Sequence, residues 1–300
     1  MIDYFKPGRP TDKPVVMTIV GDMGTGKTSL AALSPNPIFI QAEEGLRSLT
    51  AQGVDVATMP SLPSDPVEAY EVLIGQLRWL YAKPHDFKTV VIDSITALER
   101  IFVEYVLETD SKKFESGPKE KRVFDRERVL KTIGNAIGGY GNGYQAVAGM
   151  HNTIRQNCEY LRNKRGMNVV FISHATIEQI RPPDEEPFNR YTLRMNEKCA
   201  PHYTDNVDVV AFLRLSSHTL TEKDHTGKEK KVKKDGRGRE VICYSNVFSQ
   251  AKNRYGIDEP LEYEKGINPL AQYIPELRLD NVDYAQTETT ETTTEVSNDE

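Results

Sequence analysis

The chain is poor in cysteine, and that scarcity excludes two classes of protein at once. Its three cysteines, Cys158, Cys199 and Cys243, are odd in number and far apart in 300 residues. That spacing suits neither a disulfide framework nor a zinc site, and it predicts buried thiols in a reducing compartment. Long apolar runs are missing too: no stretch approaches the ~18 residues of a membrane span. The opening residues, MIDYFKPGRPTDKP, lack the apolar core of a signal peptide. A soluble, cytoplasmic protein with no membrane partner is expected.

An excess of positive charge is also lacking. The net charge is −6, but residues 283–300 hold six acidic residues and no basic one, which leaves 38 basic against 38 acidic in the rest. A neutral body does not announce a nucleic-acid binder, so any DNA contact must come from local patches. The end itself, QTETTETTTEVSNDE, is a Thr/Glu low-complexity stretch that cannot bury a core. The expected organisation is one domain over residues 1–282 followed by a disordered acidic tail over 283–300.

What is present is concentrated in eight residues. Gly21-Asp22-Met23-Gly24-Thr25-Gly26-Lys27-Thr28 completes the pattern G-x-x-x-x-G-K-[ST]. In such a loop the backbone N–H groups wrap a phosphate, the lysine reaches the β- and γ-phosphates, and the Thr hydroxyl sits on Mg²⁺. The flanks fit the motif. Val15 to Val20 is the β-branched apolar run of a buried parallel strand, and Thr28 to Leu33 is a helical start that stops before Pro35. The sequence therefore predicts a nucleoside-triphosphate site with ATP and Mg²⁺ as its occupants.

Strand-like and helix-like segments alternate through the body, the pattern of a parallel sheet flanked by helices. Further strands are expected at Pro37–Gln41, Thr89–Asp93 and Asn168–Ile172. Asp65, Pro66 and Glu68 mark a helix start, with Tyr70, Leu73, Leu77, Leu80 and Tyr81 on one face. Another amphipathic helix carries Val147, Met150, Ile154, Cys158 and Leu161. Residues 110–145, 175–200 and 217–240 interrupt the order. The last carries eight Lys or Arg against five Asp or Glu, and reads as a long β-hairpin inserted at about 215–242. The α/β core spans about residues 14–260.

Several side chains at strand ends carry candidate chemistry. Asp93 closes an apolar strand, where a buried carboxylate would face the Mg²⁺ with Thr28. Glu43 and Glu44 follow the second strand; if that strand lies beside the P-loop strand, one of them sits near the γ-phosphate as a base for water. Ser173 and His174 end the fourth strand, where polar groups can sense the γ-phosphate. Lys252 and Arg254, two residues apart, would project from one face of a strand and clamp phosphate.

Taken in order, these segments resemble the RecA-type ATPase core. FIQAEEG is similar to the RecA segment whose glutamate activates water, which favours Glu43 over Glu44. TVVIDSITAL resembles the Walker B strand, and VVFISH occupies the slot of the sensor strand, with His174 in place of the usual Gln. AKNRYG is similar to the KNRNG stretch of DnaB-type replicative helicases, whose Lys and Arg reach a neighbouring subunit's γ-phosphate. With the glycine-rich GGYGNGY, the combination looks like the phage RecA-like single-strand annealing ATPases.

That resemblance implies ATP hydrolysis by Glu43, Lys27 and His174, with Lys252 and Arg254 acting in trans. It also implies assembly into rings or filaments, action on single-stranded DNA in recombination or annealing, and a phage single-strand-binding protein as a partner. For DNA contact the sequence offers Lys228, Lys230, Lys231, Lys233, Lys234, Arg237 and Arg239 in the hairpin, and Tyr140 and Tyr144 in the glycine-rich loop. The rival readings are a ring-shaped helicase motor, a phosphotransferase on a small metabolite, which needs an Arg-rich lid, and a nucleotide-binding adaptor with negligible hydrolysis.

Overall fold

A computed structural model describes residues 13–115, 132–223, 229–264 and 266–279. The P-loop strand is β1 (Val16–Gly21), every residue of it buried, followed by α1 (Lys27–Ala32). Next come β2 (Pro37–Gln41), α2 (Arg47–Thr50), β3 (Ala57–Thr58), α3 (Pro66–Ala82), β4 (Thr89–Asp93) and α4 (Ile95–Glu115). A 3₁₀ turn (Ile133–Asn135) leads into α5 (Asn142–Arg165), then β5 (Asn168–Ile180), β6 (Phe188–Leu193) and α6 (Pro201–Thr204). The chain closes with β7 (Val209–Lys223), β8 (Glu229–Ile242), β9 (Leu261–Glu262) and two more 3₁₀ turns (Pro269–Gln272 and Pro275–Leu277).

The strands line up as β3-β2-β4-β5-β1-β7-β8-β9. Pairing is parallel from β3 through β7 and antiparallel where β8 and β9 close the edge. The α/β class, the mostly parallel sheet and the hairpin expected from the sequence are all present. One strand, β5, stands between the P-loop strand and the strand that ends in Asp93. The second strand is therefore not beside the P-loop strand, contrary to the condition placed on Glu43: β4 and β5 lie between them.

The two faces of the sheet are covered differently. On one, Leu73, Leu77 and Leu80 of α3, Leu98 and Phe102 of α4, and Ile154 and Leu161 of α5 bury against Val16, Ile92 and Phe171. Asp65 caps α3, accepting from the N–H groups of Val67 and Glu68, as its place before Pro66 predicts. Tyr81, placed on that face by the periodicity, is exposed, and its hydroxyl meets that of Tyr160. On the other face, short α1 and α2 leave room that the segment beyond β9 fills, with Leu270, Ile274 and Leu277 fully buried. All three cysteines are free and buried, and burial pushes their thiols up to about 12.

Two interruptions in the sequence pattern resolve into strands. Residues 175–193 form an antiparallel hairpin, because β5 runs on past the parallel sheet and pairs with β6 from Ala175↔Leu193 to Ile180↔Phe188. The basic insertion is an antiparallel ladder from Phe212↔Ile242 to Lys223↔Glu229, broken by one bulge between Leu215 and Ser217. The charged stretch 116–131, Lys228, the acidic tail and the side chains of Lys230, Lys231, Lys233, Lys234 and Arg237 lie outside the described residues. In the glycine-rich loop the two tyrosines separate: Tyr144 packs against the core, whereas Tyr140 is fully exposed.

Candidate active site

In a parallel sheet the carboxyl ends of all strands share one edge, and this topology gathers the candidate residues there. Gly21 of β1 stands beside His174 of β5 in register, and Asp93 of β4 beside Ile172. Gln41 of β2 pairs with Asp93, so Glu43 lies two residues beyond the end of its strand. Its loop crosses over the end of β4, anchored by the Ala42 N–H on the Asp93 carbonyl at 2.8 Å. Gly45 passes close to the carboxylate in this crossing: a Cβ there would lie 3.2 Å from Asp93 Oδ2. Glu43 thus reaches the site across a neighbouring strand.

A cavity of about 520 Å³ opens at this edge, lined by the P-loop, Glu43, Asp93, His174 and Arg239 among others. That volume suits a nucleotide-sized ligand. Lys27 is buried, and its Nζ donates to the carbonyls of Gly21 (3.0 Å) and Asp22 (2.8 Å). Burial lowers its pKa, opposed by the nearby carboxylates of Asp93, Glu43 and Asp22. Thr28 Oγ1 donates to Asp93 Oδ2 at 2.8 Å, joining the two groups a divalent cation would use. Burial pushes Asp93 up to about 6 despite that hydrogen bond. A buried carboxylate in this state gains from a cation beside it, so the donor set fits Mg²⁺.

Glu43 and Glu44 have different surroundings. Glu44 is turned to solvent and pairs with Arg47 at 2.8 Å. Glu43 Oε1 accepts from His174 Nε2 at 3.1 Å. That bond, followed by a second one from Ser94 and the charge of Lys27, holds the Glu43 carboxyl at about 2 against the opposing effect of burial. His174 is fixed in turn from both sides: its N–H donates to Thr96 Oγ1, and its carbonyl accepts from the Arg194 N–H. Asn196, two residues further, donates its N–H to both oxygens of Glu99 in α4. Cys199 also hydrogen-bonds Glu99, and the ligand atoms of Glu99, His151 and Cys199 lie within 4.8 Å of one another.

Lys252 and Arg254 are elsewhere. The AKNRYG stretch is not a strand: Lys252 makes a single bridge to Val210 and the chain then turns. Lys252 donates to the Asp205 carbonyl and Arg254 to Asp208 Oδ1 at 3.0 Å. Asp208 Oδ2 accepts the N–H of Val16, the first residue of β1, so the pair sits at the amino edge of the sheet. The six residues of β1, at about 3.3 Å each, place that edge roughly 20 Å from the P-loop. Neither cation reaches the triphosphate pocket of its own subunit.

Two residues were missed by sequence reasoning. Arg194 lies close enough to Lys27 for its charge to bear on it. Arg239, read from sequence as part of a DNA-facing hairpin surface, lines the nucleotide cavity instead. The available signal was the run Asp235-Gly236-Arg237-Gly238-Arg239: glycines inside a strand mark a bulge or a close approach.

Fold and site together define a P-loop nucleotide-binding ATPase domain. The family model of the AAA domain matches residues 13–255. The chain belongs to that family. Among solved structures, the crystal structure of the RadB recombinase is similar with a TM-score of 0.42 and 14% identity, over 83% of this chain and 87% of that one. No curated protein matches the sequence. Among the described residues, no helix is long and apolar enough to cross a membrane.

Proposed function

We propose that this protein hydrolyses ATP as a RecA-like ATPase acting on single-stranded DNA in recombination or annealing, with active sites completed between subunits. The observation that carries the ATPase reading is the convergence of the Thr28–Asp93 and Glu43–His174 pairs beside Lys27 at one sheet edge. Thr28 and Asp93 would hold Mg²⁺, which when bound neutralises charge on the transferring phosphoryl group. Lys27 exchanges its two loop carbonyls for phosphate oxygens and stabilises charge that develops on the γ-phosphate. Glu43, ionised and oriented by His174, accepts a proton from the attacking water.

Assembly enters through Lys252 and Arg254. They lie away from the pocket of their own subunit and would exchange their bonds to the Asp205 carbonyl and Asp208 for a neighbour's γ-phosphate, which would make turnover depend on ring or filament formation. The DNA reading rests on the motif resemblance, on the lysine-rich sequence of the β7–β8 hairpin and on exposed Tyr140. The test is the ATPase rate with and without single-stranded DNA, repeated across salt. Stimulation by DNA that fades steeply with salt is expected, because phosphate contacts release counterions. A rate indifferent to DNA at every salt concentration would favour a phosphotransferase or adaptor.

A further inference from the structure

We infer that Arg239, carried by the β7–β8 hairpin, is a binding residue for the polyphosphate of the nucleotide in its own subunit. The inference rests on the nucleotide-binding reading above. Three independent features of the chain point the same way.

The first is position. Arg239 Nε lies 3.4 Å from where a Cβ on Gly26 would be, directly against the phosphate loop, with Tyr263 at the same point. Arg239 also lines the cavity that holds Lys27, Thr28 and Asp93.

The second is an unmet demand. Arg239 Nε is buried and has no hydrogen-bond partner. A buried donor without an acceptor is costly, and a charged one more so. Phosphate oxygens are acceptors that a planar guanidinium matches well, often with two parallel bonds.

The third is the local backbone that aims the side chain. The hairpin register runs Leu215↔Arg239 and then Ser217↔Asp235, so Gly236, Arg237 and Gly238 together face Ser216. This bulge immediately precedes Arg239. Gly238 packs closely on the opposite strand: a Cβ there would lie 2.9 Å from Ser216 Oγ. Bulges re-aim side chains and occur beside active sites. On its far side Arg239 is held by its carbonyl, which accepts the Tyr263 N–H at 2.8 Å. Arg239 is therefore fixed at the base of the hairpin, and its side chain links the hairpin strand to the phosphate loop.

The test is calorimetric binding of a non-hydrolysable ATP analogue with Mg²⁺ to the full chain, its wild-type form compared with four variants, each checked for an unchanged circular dichroism spectrum. Lys27→Ala tests the nucleotide reading itself: if wild type binds and Lys27→Ala does not, that reading stands whatever Arg239 does. Arg239→Ala is expected to weaken binding about 10–100-fold, the worth of a charge-assisted phosphate contact. Arg239→Lys, which keeps the charge without the fork, is expected to recover part of the loss. Arg214→Ala removes an equal charge from the neighbouring strand, where Arg214 pairs with Glu240, and is expected to change binding less than twofold. A loss under threefold for Arg239→Ala, or an equal loss for Arg214→Ala, would overturn the inference.

Discussion

His174 Nε2 donates to Glu43 Oε1 across 3.1 Å, although 131 residues separate them in sequence and β4 lies between their strands. The pair ties the group that would activate water to the strand beside the phosphate loop. Glu43→Gln is expected to bind ATP and to lose about 10²–10⁴ in kcat, the usual share of a general base. An unchanged turnover would place the base elsewhere. The same pair has a signature in the ligand-free protein. Because its folded pKa is held near 2, below the ordinary value of 4.5, ionised Glu43 stabilises the fold above about pH 4.5, and that contribution disappears as pH falls toward about 2. Thermal melts of wild type and Glu43→Gln should therefore differ at pH 7 and converge in strong acid.

Asp93 behaves in the opposite sense. Its folded pKa is raised from 3.8 to about 6, so the folded protein holds a proton that the unfolded chain has released, and stability falls as pH rises between those values. Asp93→Asn removes the buried charge and is expected to raise the melting temperature of the ligand-free protein above pH 6, by up to about 3 kcal/mol in stability. The same variant should lose Mg²⁺-dependent nucleotide binding. A variant that is less stable than wild type at pH 8 would contradict the assignment.

Asp208 and Arg254 form an ion pair whose members have unequal weight. Asp208 is buried and also accepts from Arg162 and from the Val16 N–H, whereas the Arg254 side chain is 62% exposed. Asp208→Ala removes the carboxylate that Arg162 and the Val16 N–H share, while Arg162 keeps the Pro14 carbonyl and Glu159, and it is expected to cost about 1–3 kcal/mol in chemical denaturation. Arg254→Ala should cost under about 1 kcal/mol.

Because Arg254→Ala is expected to fold normally, it gives a clean test of shared sites. Mixing Arg254→Ala subunits with Glu43→Gln subunits should restore part of the hydrolysis that neither shows alone. No recovery, with monomers in sedimentation at every concentration, would count against action between subunits.

Tyr140 and Tyr144 separate a surface role from a packing role. Tyr140→Ala is expected to leave the melting temperature unchanged and to weaken single-stranded DNA binding by about 1–3 kcal/mol if a base stacks there. Tyr144→Ala should lower stability instead, since that ring packs against the core. Equal effects of the two substitutions on DNA binding would argue against stacking.

Much of this was legible in the chain. The bounds of β2 and β4 agree with their apolar runs, because strands buried on both faces leave a continuous apolar signature. Asp65 before Pro66 marked the start of α3. The β5–β6 hairpin was not legible, since its half-exposed strands mix charged and apolar residues without clean alternation. Arg239 was misplaced for a related reason: a lysine-rich hairpin reads as one surface, and only the bulge shows that one of its cations turns to the pocket.

By itself the sequence determined the phosphate loop, the acid that closes an apolar strand and the α/β class. Each is encoded by residues adjacent in the chain, whose backbone demands and apolar periodicity are local. The tertiary structure alone decided which of Glu43 and Glu44 meets His174, that Lys252 and Arg254 stand at the far edge of the sheet, and that Arg239 lies on the phosphate loop. Those outcomes depend on strand order, on a loop crossing β4 and on a bulge. Such long-range pairings leave no periodic mark on the residues they bring together.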